Sequence, residues 1–147
     1  MKLGLALSAF ASTLLVSAFA TQAEASAYAE VYSCSFTEPF VSFDYDSSKG
    51  TLSTCTPDMM VEKPNGTVEC KSVVTEGVSL RVTAGNAFEL VDNAGVVLYE
   101  LQLTNQGSDG MSDRVYPFDG IAKSSEYMPL DYLGGCSSTS LPAKDIE

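Results

Sequence analysis

The chain is predicted to be an all-β protein, a small antiparallel β-barrel or β-sandwich of about seven to nine strands held by disulfide bonds. Three observations predict it. Apolar residues recur at every second position through much of the chain, while helix-period patterning is hard to find. Turn-forming clusters of Gly, Asn, Pro and Ser separate these runs at a spacing of roughly 8–12 residues, as in sandwiches and barrels. Four cysteines follow an apolar leader, the pattern of a secreted disulfide-bonded domain.

The leader comes first. Met1-Lys2 opens an apolar run from Leu3 to Ala20, and a small-residue stretch follows from Thr21 to Ala27. A basic start, an apolar centre and an A-x-A-like exit form a secretory signal peptide, here residues 1–27 with cleavage after Ala27. Thr21-Gln22-Ala23 is a second exit. A membrane anchor is the competing reading, because about 18 residues just suffice to span. The many Ala, Ser and Thr residues in the run favour cleavage, which leaves a periplasmic or secreted protein with no membrane span. Residues 28–136 are expected to form one β domain, and 137–147 a flexible tail.

Within the domain, Val41-Ser42-Phe43-Asp44-Tyr45-Asp46 alternates as a half-buried strand does, and Val78-Ser79-Leu80-Arg81-Val82-Thr83 repeats the pattern. In the longest run, Val97, Tyr99, Leu101 and Leu103 share one face, with Glu100 and Gln102 on the other. Strands are expected near 29–36, 40–46, 50–55, 67–75, 78–84, 87–92 and 96–104, with one or two more after residue 118. Ser47-Ser48-Lys49-Gly50, Lys63-Pro64-Asn65-Gly66 and Asn93-Ala94-Gly95 are the turns between them. A closed barrel would leave no exposed edge strand.

In an oxidising compartment Cys34, Cys55, Cys70 and Cys136 are expected to form two disulfides, and three pairings are open. Cys55 and Cys70 flank the Pro64-Asn65-Gly66 turn and could bridge a local hairpin. Cys34 with Cys136 would then tie the ends of the domain, a long closed loop contributing roughly 4–5 kcal/mol in the chain-entropy account. The composition excludes several function classes. Nineteen acidic against eight basic side chains leave a net charge of −11, which removal of Lys2 and Glu24 with the leader does not change. Such a chain lacks the cations that nucleic-acid binding requires. With no His, Ser-His-Asp and Cys-His catalysis and the usual zinc ligand set are absent. No cofactor or metal is expected.

Two stretches depart from ordinary strand and turn sequence: Phe36-Thr37-Glu38-Pro39-Phe40, and the acidic and aromatic segment Gly107–Phe118. At both, the chain resembles an uncharacterised family of small exported bacterial proteins, often labelled membrane proteins or lipoproteins. That family carries an early Cys-x-Gly-Thr-Glu-Pro-Phe-Trp pattern, met here by Cys34, Thr37, Glu38, Pro39 and Phe40. Its late pattern, Cys-Ser-Asp-Gly-Met-Ser-Asp-x-x-Tyr-Pro followed by Gly-Cys, is met by Ser108–Asp113, Tyr116, Pro117 and Gly135-Cys136. The resemblance brackets residues 34–136. Phe36 stands where the family has Gly, Val41 where it has Trp, and Gly107 where it has Cys. If that missing Cys usually pairs with the Gly-Cys cysteine, the resemblance implies another partner for Cys136, either Cys34 or one of the hairpin pair. The resemblance implies placement in the envelope and no particular chemistry.

The candidate binding residues are Glu38, Asp109, Ser112, Asp113, Arg114 and Tyr116. Glu38, Asp109 and Asp113 offer oxygens for calcium, but the spacing lacks the D-x-[DN]-x-[DN]-G register and the closing Glu. The plainer reading bonds Asp109 and Asp113 to loop amides and pairs Arg114 with a carboxylate. Glu38 and Asp113 as a glycosidase acid and base would have to meet across a sugar cleft. Ser112–Tyr116 is also similar to the Ser-Gly-x-Arg-Tyr loop of membrane-bound and periplasmic C-type lysozyme inhibitors, which are small disulfide-bonded barrels. That likeness implies an inhibitor steered by its acidity toward a cationic glycosidase. The favoured expectation is a non-enzymatic binding or structural module of the bacterial envelope whose partner is left open, a cationic protein being one candidate. The alternative is a lysozyme-type inhibitor binding a cationic glycosidase through the 107–118 loop. Glu38 is expected beside residues 109–114, with Thr37-Glu38-Pro39 hydrogen-bonded to that loop. Met111, Tyr116 and Phe118 are expected to plug one end of the barrel.

Overall fold

A computed structural model describes residues 30–146, so the expected leader lies outside the described residues. The strands are β1 (Val31–Phe36), β2 (Val41–Asp46), β3 (Thr51–Cys55), β4 (Met60–Glu62), β5 (Val68–Cys70), β6 (Val73–Glu76), β7 (Ser79–Val82), β8 (Ala87–Val91), β9 (Val97–Gly107), β10 (Arg114–Ala122), β11 (Leu133–Ser138) and β12 (Lys144–Asp145). A 3-10 turn at Pro57–Met59 leads into β4. One sheet of 10 strands runs β6-β3-β2-β1-β11-β10-β9-β8-β7, with β12 paired to β10, and β4 and β5 form a separate two-stranded sheet.

The all-β, antiparallel, disulfide-bonded expectation is met; the closed barrel of seven to nine strands is not. Every step along the main path is antiparallel, so β6 and β7 at its two ends point the same way. Only Gly77-Val78 separates them. They are two halves of one kinked strand, the first paired to β3 and the second to β8. Gly77 makes the kink at φ +74°, a conformation costly for any residue with a Cβ. Val78 turns inward and its amide donates to the Gly50 carbonyl at 3.0 Å. Among the described residues no ladder joins β6 to β7, and the sheet runs as an open path from one to the other.

The sheet nonetheless curls onto itself, because each strand buries alternate residues on one face. Tyr32, Cys34 and Phe36 of β1 and Val41, Phe43 and Tyr45 of β2 point inward, while Ser33, Ser42 and Asp44 face out. The opposite wall comes from β8 and β9 through Leu90, Tyr99 and Leu101. Rings meet across the interior: Phe43 and Tyr99 lie 4.3 Å apart, and Tyr32 and Phe88 6.2 Å. Cys34 and Cys136 form one disulfide at the centre, between directly opposed residues of β1 and β11 with Cα atoms 4.1 Å apart. The second joins Cys55 to Cys70.

Three boundaries shift. The expected strand 67–75 breaks at Lys71-Ser72. Its first part pairs with Met60–Glu62, a strand without alternation that the periodicity missed, and the Cys55–Cys70 bond holds this exposed hairpin to β3. Half of the segment 107–118 is strand, since β9 extends to Gly107 and β10 begins at Arg114. The loop proper is 108–113. Two parts of the segment after Cys136 join the sheet: Ser138 is buried at the end of β11, and Lys144-Asp145 pair with Val115-Arg114. Short polar segments of this kind carry no hydrophobic period, so only their tertiary pairing reveals them. Among the described residues no helix is long and apolar enough to cross a membrane.

Candidate functional site

The two unusual stretches converge. The β1–β2 turn carries Thr37, Glu38, Pro39 and Phe40, with Glu38 at φ +57° before a cis peptide bond to Pro39. The Thr37 hydroxyl donates to the Asp109 carbonyl at 2.5 Å, which ties this turn to loop 108–113. Tyr132, which the sequence did not single out, places its hydroxyl 2.5 Å from the carbonyl oxygens of both Thr37 and Glu38.

Asp109 organises the loop from within. Its Oδ1 accepts the amides of Met111 (3.0 Å) and Ser112 (2.8 Å), an Asx-type turn. Its Oδ2 accepts the hydroxyls of Ser112 (2.8 Å) and Tyr116 (2.9 Å). Burial pushes the carboxyl pKa up, but these four bonds outweigh it and hold the value at about 2. The Tyr116 phenol is raised, first by burial and also by its bond to the Asp109 carboxylate. A carboxylate with both oxygens taken by protein donors is a structural anchor and leaves little capacity to bind a cation or carry a proton.

The other candidates divide. Ser112 and Tyr116 act inside this knot. Glu38 is exposed beside it, so the expected approach of Glu38 to the loop is met. Asp113 is exposed and uses its backbone carbonyl to accept the Ile146 amide at 3.0 Å. Arg114 Nε donates to Asp145 Oδ1 at 3.0 Å, so its guanidinium is engaged with β12. Tyr116 and Phe118 are buried, whereas Met111 is 68 % exposed and plugs nothing. The amides of Gly110, Met111 and Ser112 bond to the Ser108 and Asp109 side chains, a turn in which the Met111 side chain stands outward.

Two grooves flank the Thr37–Asp109 bridge. One, of about 560 Å³, mixes polar and apolar surface, with Glu38, Asp109, Asp119, Tyr132 and Leu133 in its lining. The other, of about 540 Å³, runs over the outer face of β1 and β2 beneath the β4–β5 hairpin. Phe40, Met60 and Met111 stand exposed on its rim, and Asp44 lies in its wall. The sequence signal for this second groove was the aromatic beside Glu38-Pro39; Met60 gave none, because its pairing with Cys70 and the Cys55–Cys70 link set its place here. Among the described residues no three Asp, Glu or Cys side chains cluster as metal ligands. No protein-family model, curated protein or solved structure matches the chain.

Proposed function

We propose that the protein is an exported, non-enzymatic binding module of the bacterial envelope that engages a cationic protein segment through the groove beneath the β4–β5 hairpin. One observation carries this reading. The loop 108–113 is anchored by four bonds to Asp109 yet holds Met111 out at the rim, in a groove shared with Phe40 and Met60. A rim ordered in advance loses little conformational entropy on association. Methionine and phenylalanine suit adaptable apolar contact. The net charge of −11 favours encounter with a cationic partner. The two disulfides fit an oxidising extracellular or periplasmic environment, and placement in a bacterial envelope extends that reading.

The test is affinity capture from periplasmic extract with the native protein and with a Phe40→Glu, Met111→Glu double variant. A basic protein retained by the first, lost with the second and released at about 0.5 M salt is the expected result. Identical capture by both proteins refutes the groove as the recognition surface. A C-type lysozyme is one concrete cationic partner, and a cell-wall turbidity assay measures that case directly.

A further inference from the structure

A third cavity, of about 270 Å³, shares no lining residue with either groove. It takes residues from β3 and β6 on one side and from β9 on the other, with the loop between β10 and β11 alongside. Thr54 of β3 lines it and is 3 % exposed, and its hydroxyl has no hydrogen-bond partner among the described residues. The oxygen is not sealed away, because no wholly inaccessible side-chain oxygen or nitrogen among those residues lacks a partner. The hydroxyl therefore keeps an accessible side, and the cavity is the space that Thr54 lines.

The remaining polar groups are acceptors or neutral hydroxyls. Glu126 contributes a carboxylate. Asp92 uses Oδ1 to accept the amides of Ala94 (2.9 Å) and Val96 (2.8 Å), which leaves Oδ2 available. The Tyr99 hydroxyl donates to Ser125 Oγ at 3.1 Å, and Tyr127 adds a second ring. Neither Lys nor Arg is in the lining. The phenols register this imbalance: Tyr127 is raised, first by Glu126, and Tyr99 by burial with Glu126 adding to it. Leu52 and Leu98 supply a short apolar wall.

We propose that this cavity binds a primary ammonium group carried on a short aliphatic stem. An ammonium has three donors and no acceptor, which matches the Glu126 carboxylate, the free oxygen of Asp92 and the waiting Thr54 hydroxyl. The tyrosine rings add attraction for a cation, and the leucines receive the stem. A metal ion suits the site poorly, since no group of three ligating side chains is present among the described residues. The same chemistry occurs in free amines and in lysine side chains.

The test is a titration of the isotope-labelled, disulfide-intact protein followed by amide NMR. Butylamine is expected to shift the signals of Thr54, Tyr99, Ser125 and Glu126, while butanol and butyrate are not. Glu126→Gln is expected to weaken butylamine binding by about tenfold or more, and Thr54→Val by severalfold. Putrescine and Nα-acetyl-lysine amide then distinguish a free amine from a lysine side chain, and binding of either supports the site. Equal shifts from butanol overturn the proposal, as do butylamine shifts scattered over the acidic surface or unchanged affinity in Glu126→Gln. Glu126 is exposed, so that variant keeps the test decisive even if Thr54→Val disturbs the fold.

Discussion

Asp109→Asn isolates the charge of the loop anchor while keeping its shape. The native carboxyl lies at about 2 against an ordinary 3.8, and the residue is only 8 % exposed. At about 1.4 kcal/mol per pH unit, ionisation of this one group stabilises the fold by about 2 kcal/mol at neutral pH. Because the folded value is the lower one, that contribution is complete above the unfolded pKa and disappears as pH falls through about 2. Asparagine resembles the protonated acid: it can still accept from the Met111 and Ser112 amides but carries no charge. The variant should therefore be about 2 kcal/mol less stable at pH 7 and nearly equal to the native protein near pH 2. Other carboxylates titrating in the same range, such as Asp46, cancel in the difference. Urea unfolding of both proteins at several pH values measures it. A constant gap across the pH range, or no gap at pH 7, would refute the assignment of Asp109 as an ionised anchor.

Removing Cys34–Cys136 by double alanine substitution should cost about 4–5 kcal/mol, and removing Cys55–Cys70 about 3, because the closed loops span 102 and 15 residues; equilibrium unfolding ranks them. Gly107→Ala should destabilise by about 1–3 kcal/mol, since its Cβ would stand 2.3 Å from the Phe118 carbonyl oxygen and the backbone of β10 must yield; thermal melts report it. Tyr99 is buried and its phenol raised, so its contribution is complete below the ordinary tyrosine pKa and is lost as pH rises through the folded value. Ultraviolet titration should find tyrosines ionising late, and Tyr99→Phe should flatten the alkaline loss of stability.

Much of this was legible beforehand. Alternation in 41–46 and 97–103 placed Phe43, Tyr45, Tyr99 and Leu101 in the core, because a strand that buries one face must show a period of two. The Asp109 turn was legible as well, since an Asp followed by Gly and Ser readily caps its own loop amides. The role of Tyr132 was not: its bonds to Thr37 and Glu38 span 95 and 94 residues, and a single tyrosine in a polar stretch carries no period.

What the sequence determined by itself is that the chain forms antiparallel strands, which side of 41–46 and 97–103 turns inward, and that its cysteines suit an oxidising environment. These follow from local chemistry: side-chain periodicity, turn residues and cysteine number. Tertiary structure decided the rest. Whether the sheet closes depends on which neighbours each half of the kinked 73–82 strand finds, and those pairings are non-local. The grooves and the third cavity arise where distant strands leave space between them, a property of their relative placement that no single segment contains.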